Sequence, residues 1–333
     1  MRCAVVVVLL ALAAIGPVAP APQAQQPREE ERPHHGALGI LRRDGLLFPF
    51  ASFDNDTWSV TWPVDILRIK VPPAATFSSI PKEWWGTRAP DRWRVRLTTG
   101  EEQTIQAGNP QTFSVFCERR LGVRTNYQAS QPVPAGVDPF PKDGLAITGS
   151  VPIEPIEIVN LATPDAEFLA GALIPNFNRI EDDTVKRVQR STDWRHPFSE
   201  DDRHKLPIRL ESWYRSPLDE GWTVSYIEAV RQYPAGPADK GCGLETLVTG
   251  WVFHENGALK SRMILSAKTT YCDRVGATYM LPLGVVRPKS RPYWVFQLSG
   301  YDDEWYEVAG IFHNDVRFVV EVQARGRMGC RAR

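Results

Sequence analysis

The two ends of the chain carry similar stretches of sequence, and this similarity limits the folds that the chain can adopt. The segment LGILR at residues 38–42 matches LGVVR at residues 283–287. In both copies an apolar strand follows, then an acidic turn, and then a strand that begins with tryptophan, up to residues 60 and 308. A strand–turn–strand–turn–strand unit at both ends predicts repeated antiparallel β-meanders.

Turn residues divide the rest of the chain into further short strands. Asp-Gly pairs at 44–45 and 143–144 and the triplet Gly-Asn-Pro at 108–110 are typical of the connections between strands. The predicted strands are Leu38–Arg42, Leu46–Phe53, Trp58–Trp62, Arg92–Thr98, Gln103–Ala107, Phe113–Glu118, Leu145–Thr148, Ile153–Val159, Ile208–Tyr214, Trp222–Gln232, Leu244–His254, Leu259–Tyr271, Thr278–Arg287, Tyr293–Leu298, Glu304–Ile311 and Arg317–Gln323.

The second half of the chain suggests how these strands are arranged. Its strands are joined by short connections, so sequential antiparallel pairing is the simplest topology. They form two runs of four strands, each of which ends in a cysteine. Repeated four-stranded meanders are typical of propeller blades, so we predict an all-β, β-propeller-like fold. A pair of β-sandwich or barrel domains is the alternative.

Residues 163–205 interrupt the β pattern. They predict a helical or loop insertion between a β-rich first half (37–162) and a β-meander second half (206–330), which form either one closed domain or two. Thr163 and the proline after it are typical of a helix start. The helix is expected to end at Pro175, and a second short helix is expected to start near residue 182.

The N-terminal residues have the character of a secretory signal. A basic residue at position 2 precedes an unbroken apolar run over residues 4–15, which is too short to span a membrane comfortably. We predict a signal peptide at 1–24, a flexible leader at 25–36, and a secreted, periplasmic or extracellular protein without a membrane span. An uncleaved N-terminal anchor is the alternative.

Cysteine usage agrees with export. Removal of the signal would leave four cysteines, namely Cys117, Cys242, Cys272 and Cys330. Two strand-like runs flank the Asn-Gly pair at 256–257, a favoured hairpin turn. Folding about this turn pairs residues whose numbers sum to 513, which brings Cys242 next to Cys272. We therefore predict the disulfides Cys242–Cys272 and Cys117–Cys330, with four separate thiols as the alternative.

Tryptophans are the candidate ligand-binding residues. Trp84, Trp85 and Trp93 cluster in a stretch rich in proline and basic residues. Exposed tryptophan rings stack on sugars or cations, which would suit a polysaccharide ligand. Tryptophans also pack in the cores of β proteins, and this is the expected role of those within predicted strands.

Acidic turns and two histidines are further candidates. The acidic turns could bind a cation or supply paired carboxylates for glycoside hydrolysis, but aspartate and asparagine also favour tight turns by themselves. His254 and His313 lie at strand ends, where a histidine is either a general base or a solvated turn residue.

No sequence motif assigns a reaction. The chain has no nucleophile elbow, zinc-binding helix motif, Cys-x-x-Cys pair or glycine-rich phosphate loop, so no cofactor or metal is predicted. Basic and acidic residues are equal in number, 39 of each, which argues against a nucleic-acid partner. The first hypothesis is an exported, disulfide-braced binding protein for a polysaccharide or another exported protein. The alternatives are a secreted carbohydrate hydrolase and a structural envelope protein.

Overall fold

Antiparallel strands make up most of the chain. The computed structural model describes residues 35–60, 76–80, 91–115, 118–131, 142–219, 221–235, 243–255, 261–300, 303–313 and 315–325. Its strands and helices are β1 (His35–Arg42), β2 (Leu46–Asp54), β3 (Thr57–Val60), β4 (Arg92–Leu97), β5 (Glu102–Val115), β6 (Glu118–Thr125), β7 (Lys142–Ile147), β8 (Ile153–Glu154), β9 (Glu157–Ile158), α1 (Pro164–Ser191), α2 (Glu200–His204), β10 (Arg209–Asp219), β11 (Trp222–Gln232), β12 (Leu244–Glu255), β13 (Ser261–Tyr271), β14 (Tyr279–Val286), β15 (Tyr293–Ser299), β16 (Asp303–Phe312) and β17 (Asp315–Arg325). The all-β class is therefore confirmed.

Six of the first seven strands form a closed barrel. They follow the order β1-β7-β4-β5-β6-β2, and the pairing of β1 with β2 closes the ring, while β3 extends from β2. Alternate side chains from all six strands fill the interior, as expected for a barrel of this size. Trp93 and Val95 from β4 lie there with Leu121 from β6, each at most 1% exposed.

Strand β5 differs from the prediction. Residues 103–107 and 113–118 were expected to be two strands separated by a turn at 108–110, but Glu102–Val115 is one strand. Its pairing register is irregular between Ala107 and Pro110. An irregularity of this kind bends a strand without ending it, so β5 can pair with β4 at one end and with β6 at the other.

Two five-stranded sheets follow the barrel. The inner sheet has the strand order β17-β16-β15-β14-β8, and the outer sheet has the order β13-β12-β11-β10-β9. One face of the inner sheet packs on the barrel, and its other face packs on the outer sheet. Helix α1 covers the remaining face of the outer sheet. The described residues are thus layered as barrel, inner sheet, outer sheet and helix.

These layers replace the predicted propeller, which the strand order does not show. The two similar segments do form three-stranded meanders, β1–β3 and β14–β16. They meet face to face: the ring of Tyr306 lies 5.8 Å from that of Phe48 and 5.4 Å from that of Phe50. The repeated units are therefore stacked as layers rather than arranged as neighbouring blades.

Helix α1 is longer than predicted. It runs over 28 residues without ending at Pro175, and residue 182 lies within it rather than at the start of a second helix. A proline inside a helix removes one hydrogen bond and strains the preceding turn. Here Leu173 and Phe177, on either side of Pro175, are fully buried against the outer sheet. Burial of this apolar face outweighs the local cost of the proline.

The β12–β13 hairpin has a different register from the predicted one. Leu244 pairs with Tyr271, so paired residue numbers sum to 515 and not to 513. The backbone N–H of Cys272 accordingly donates to the carbonyl of Gly243 at 2.9 Å. Cys272 is disulfide-bonded, and the other cysteines lie outside the described residues. The pairings Cys242–Cys272 and Cys117–Cys330 stay predictions.

Candidate functional site

The facing surfaces of the inner and outer sheets carry the candidate site. In the outer sheet, Tyr226, Trp251 and Ile264 lie side by side, because Trp251 is paired with both of the others. The ring of Trp251 lies 5.0 Å from that of Trp294 and 6.0 Å from that of Phe296, both in the inner sheet. The two sheets therefore face each other through aromatic and aliphatic side chains.

A cleft of about 290 Å³ lies between the two sheets, next to their edge strands β13 and β17. This volume is close to the lower limit of about 300 Å³ for small-molecule pockets. Ile264 and Phe318 form the mouth of the cleft, where they remain 38% and 56% exposed. The walls include Tyr226, Trp251, Met280, Phe296 and Leu298.

Glu307 places a carboxyl group in this apolar cleft. Its side chain is 6% exposed and lines the cleft from β16. The indole N–H of Trp305 donates to Oε1 at 2.7 Å, whereas Oε2 has no hydrogen-bond partner. Burial raises the pKa of Glu307 to about 7, against the opposing effect of the Trp305 hydrogen bond and with a further rise from the charge of Glu321. Glu307 thus exchanges its proton near neutral pH.

Two further titratable groups, Tyr226 and Glu228, lie close to each other in the outer sheet, and Tyr226 also lies near Glu307. Burial raises the pKa of Tyr226, and the charges of Glu228 and Glu307 raise it further. Burial also raises the pKa of Glu228, although Oε1 of Glu228 accepts a hydrogen bond from the backbone N–H of Met280 at 2.7 Å. Glu228 is therefore held by the backbone, whereas Glu307 keeps one free oxygen.

Asp315 is the second carboxylate that lines the cleft, but it is not placed to act with Glu307. Asp315 pairs with Phe312, five residues along β16 from Glu307. At about 3.4 Å per residue, the two backbone positions are roughly 17 Å apart. The carboxyl groups of a glycoside hydrolase are separated by about 5–10 Å. A hydrogen bond from Arg317 lowers the pKa of Asp315, which leaves this group ionised at the mouth.

A network of buried charges lies on the opposite face of the outer sheet, beneath α1. Glu181 is fully buried and accepts hydrogen bonds from Arg231 and from the hydroxyl of Tyr233. Asp182 accepts one from Arg203 and lies 3.0 Å from Nε2 of His204. This network was not predicted, because residues 181–183 resemble an acidic turn in the sequence, whereas α1 continues through Pro175. Each buried charge has a partner of opposite charge, which is typical of a structural role.

Asp182, Glu200 and His204 are close enough to share a metal ion, with one potential ligand atom from each within 4.8 Å of the others. However, the guanidinium of Arg203 already neutralises Asp182. Lys186 lies 3.2 Å from Glu200. These cations occupy the sites that a metal ion would need, so this group is better described as an ion-pair network.

A second cleft, of about 310 Å³, lies at one end of the barrel and is mostly polar. Its central carboxylate, Asp143, is engaged at both oxygens: Arg43 donates to one at 3.0 Å, and the hydroxyl of Tyr127 donates to the other at 2.7 Å. Burial and the bond to Asp143 raise the pKa of Tyr127 to about 12. Because these three side chains already pair with one another, none of them needs a ligand as a hydrogen-bond partner.

The candidate histidine His313 lies in the β16–β17 turn. Its Nε2 contacts the carboxylate of Asp219, and its ring stacks on Trp222 with centroids 5.1 Å apart. Asp219 ends β10 of the outer sheet, so this pair joins the two sheets at their surface. The side chain of Asp219 is 50% exposed, and that of His313 is 54% exposed.

Of the three predicted ligand-binding tryptophans, only Trp93 lies within the described residues. Trp93 is 1% exposed inside the barrel, so its ring contacts protein and offers no surface to a sugar. Trp84 and Trp85 lie outside the described residues, and their proposed role stays a prediction. Trp251 and Trp294 are buried, as expected for tryptophans within strands.

Sequence reasoning missed Glu307 as a functional candidate. Its one signal is that Trp305, Glu307, Ala309 and Ile311 alternate along a strand, so an acidic residue falls on an otherwise apolar face.

Among the described residues, no helix combines the length and the apolar character needed to cross a membrane. No protein-family model, no curated protein and no solved structure matches this chain.

Proposed function

We propose that this chain is an exported, β-rich binding protein whose ligand is a small apolar molecule held between the inner and outer sheets. One observation carries the proposal: an apolar cleft of about 290 Å³ contains Glu307, a buried carboxyl group with one unpaired oxygen. Protein interiors are normally packed without such space, and buried polar atoms are normally paired. A ligand would fill the space and pair the oxygen.

A binding role accounts for this site better than hydrolysis does. Glu307 and Asp315, the carboxylates that line the cleft, are too far apart along their strands for a glycosidase pair. The walls are mainly apolar, whereas a sugar would need several hydrogen-bonding groups. The export part of the proposal depends on the N-terminal sequence, and N-terminal sequencing of the protein recovered outside the cytoplasm would test cleavage near residue 24.

Titration with Nile red, a neutral apolar dye, tests the binding function. We expect saturable fluorescence enhancement with the wild-type protein. Phe318→Asp places a charge at the mouth of the cleft and should weaken binding by about tenfold or more, since burial of an aromatic side chain contributes roughly 1.5–3 kcal/mol. Phe168→Asp is the matched control, because Phe168 is a phenylalanine on α1 that is 77% exposed.

The control variant should bind the dye as the wild type does. Absence of saturable binding to the wild type, or equal loss in both variants, would contradict the proposal.

Peptide mapping without reduction tests the disulfide prediction separately: a peptide linking Cys117 to Cys242 would reject the pairing of Cys242 with Cys272.

A further inference from the structure

The unpaired oxygen of Glu307 is the starting point for the chemistry of the ligand. Glu307 is 6% exposed, and the cleft is the space that it lines. Trp305 satisfies Oε1, and no described donor reaches Oε2. A buried hydrogen-bond acceptor without a donor costs free energy. A ligand that brings an N–H or O–H group should therefore bind here more tightly than one without a donor.

The charged groups around Glu307 indicate which kind of hydrogen-bond donor the ligand carries. None of the ion pairs among the described residues includes Glu307. Glu321 pairs directly with Glu307 across β16 and β17, and its charge adds to the negative potential. Asp315, also on β17, lies in the same cleft with Arg317 bound to it at 2.9 Å. From the outer sheet the cleft receives Tyr226, which is neutral at ordinary pH.

We infer that the ligand is a small apolar amine, whose ammonium group binds the free oxygen of Glu307 while its apolar body fills the cleft. The inference rests on the proposed function. An ammonium both donates a hydrogen bond and neutralises the carboxylate, and such charge-assisted bonds are about twice as strong as neutral ones. A neutral alcohol supplies only the donor. A carboxylate ligand is repelled by Glu307 and Glu321.

Three eight-carbon compounds that differ only in their head group test this inference. Octylamine, octanol and octanoate are titrated into the full chain by calorimetry at pH 8. We expect octylamine to bind about tenfold or more tighter than octanol, and octanoate to bind weakest. In Glu307→Gln the advantage of octylamine over octanol should fall to less than about threefold. Retained octanol binding also shows that the cleft of the variant is intact.

Two further comparisons sharpen the test. Glu167→Gln, an exposed glutamate on α1, is the matched control and should keep the wild-type preference. In the wild type, octylamine should bind more weakly at pH 6 than at pH 8, because Glu307 takes up a proton, whereas octanol should not change. Equal affinities for octylamine and octanol, or an unchanged preference in Glu307→Gln, would overturn the amine assignment. Failure of all three compounds to bind would instead reject the proposed binding function.

Discussion

Two buried titratable residues lie on opposite sides of the outer sheet and respond to pH in opposite directions. Glu307 lies in the cleft, where burial raises its pKa to about 7 from an ordinary value of 4.5. His196 lies on the α1 side, where burial and then the charge of Arg203 lower its pKa to about 4 from 6.5. Its ring packs 4.7 Å from that of Tyr233, and Nδ1 accepts a hydrogen bond from the backbone of Phe198.

The pKa of Glu307 predicts a loss of stability at high pH. The folded chain holds this proton more tightly than the unfolded chain, so the stabilisation is complete below about pH 4.5 and is lost as the pH rises through 7. Each unit of pKa corresponds to about 1.4 kcal/mol, so the loss is on the order of 3 kcal/mol. Urea denaturation at pH 5 and pH 8 should show this loss for the wild type and not for Glu307→Gln. Parallel pH profiles of the two proteins would contradict it.

His196 predicts the opposite behaviour in acid. The unfolded chain binds the histidine proton more tightly, so stability is complete above about pH 6.5 and is lost as the pH falls towards 4. His196→Phe keeps an aromatic ring beside Tyr233 but cannot take up a proton. Between pH 7 and pH 4, the wild type should lose on the order of 3 kcal/mol more than this variant. An equal loss in both proteins would show that other groups dominate acid unfolding.

At the scale of elements, local sequence patterns predicted most strands because alternation and turn residues act over a few positions. Strand β11 begins at Trp222 and ends at Gln232, as predicted. The errors arose where distant packing overrides a local signal: β5 continues past Pro110, and α1 continues past Pro175. Barrel closure depends on the pairing of β1 with β7 and β2, which no local pattern encodes.

The candidate site was harder to predict than the strands. Glu307 acquires its properties only when the inner and outer sheets meet, because burial is the largest cause of its raised pKa. In the sequence, Glu307 looks like any other glutamate within a predicted strand. The aromatic cluster of Trp84, Trp85 and Trp93 is conspicuous in the sequence, but Trp93 fills the barrel interior.

A pair of glycine substitutions tests the geometry of the outer sheet. Gly250 has a φ of 151°, and a Cβ there would lie 2.2 Å from the carbonyl oxygen of Ile264 on the neighbouring strand. Gly250→Ala should therefore push β12 and β13 apart and destabilise the fold by more than about 2 kcal/mol. Gly171→Ala, in α1 with open space around it, should stabilise the fold by up to about 1 kcal/mol. Thermal unfolding measures both, and equal effects would contradict this account of β12 and β13.

At the scale of the whole molecule, the barrel and the inner sheet share one core. Side chains from β1, β2 and β7 pack with side chains from β14, β15, β16 and β17. The described residues accordingly belong to one compact unit. Removal of the barrel would expose one face of the inner sheet to water, so the barrel and the sheets should unfold together in a single transition.

The buried ion pair between Lys142 of the barrel and Glu304 of the inner sheet tests this coupling. The side chains are 9% and 3% exposed, and the hydroxyl of Tyr306 also donates to Glu304. Lys142→Met leaves a buried carboxylate without its cation, which should cost about 3–5 kcal/mol. Adding Glu304→Gln removes that charge and should recover part of the loss. Lys205→Met, which breaks an exposed pair with Asp202, should change the stability far less.

The number of transitions in the unfolding curve shows whether the barrel and the sheets unfold together or separately. In Lys142→Met we expect calorimetry to show one transition at a lower temperature, because the shared core still joins the barrel to the inner sheet. Two separate transitions would mean that the barrel is stable by itself. In that case the contacts of Tyr306 with Phe48 and Phe50 would add little to the stability of the molecule.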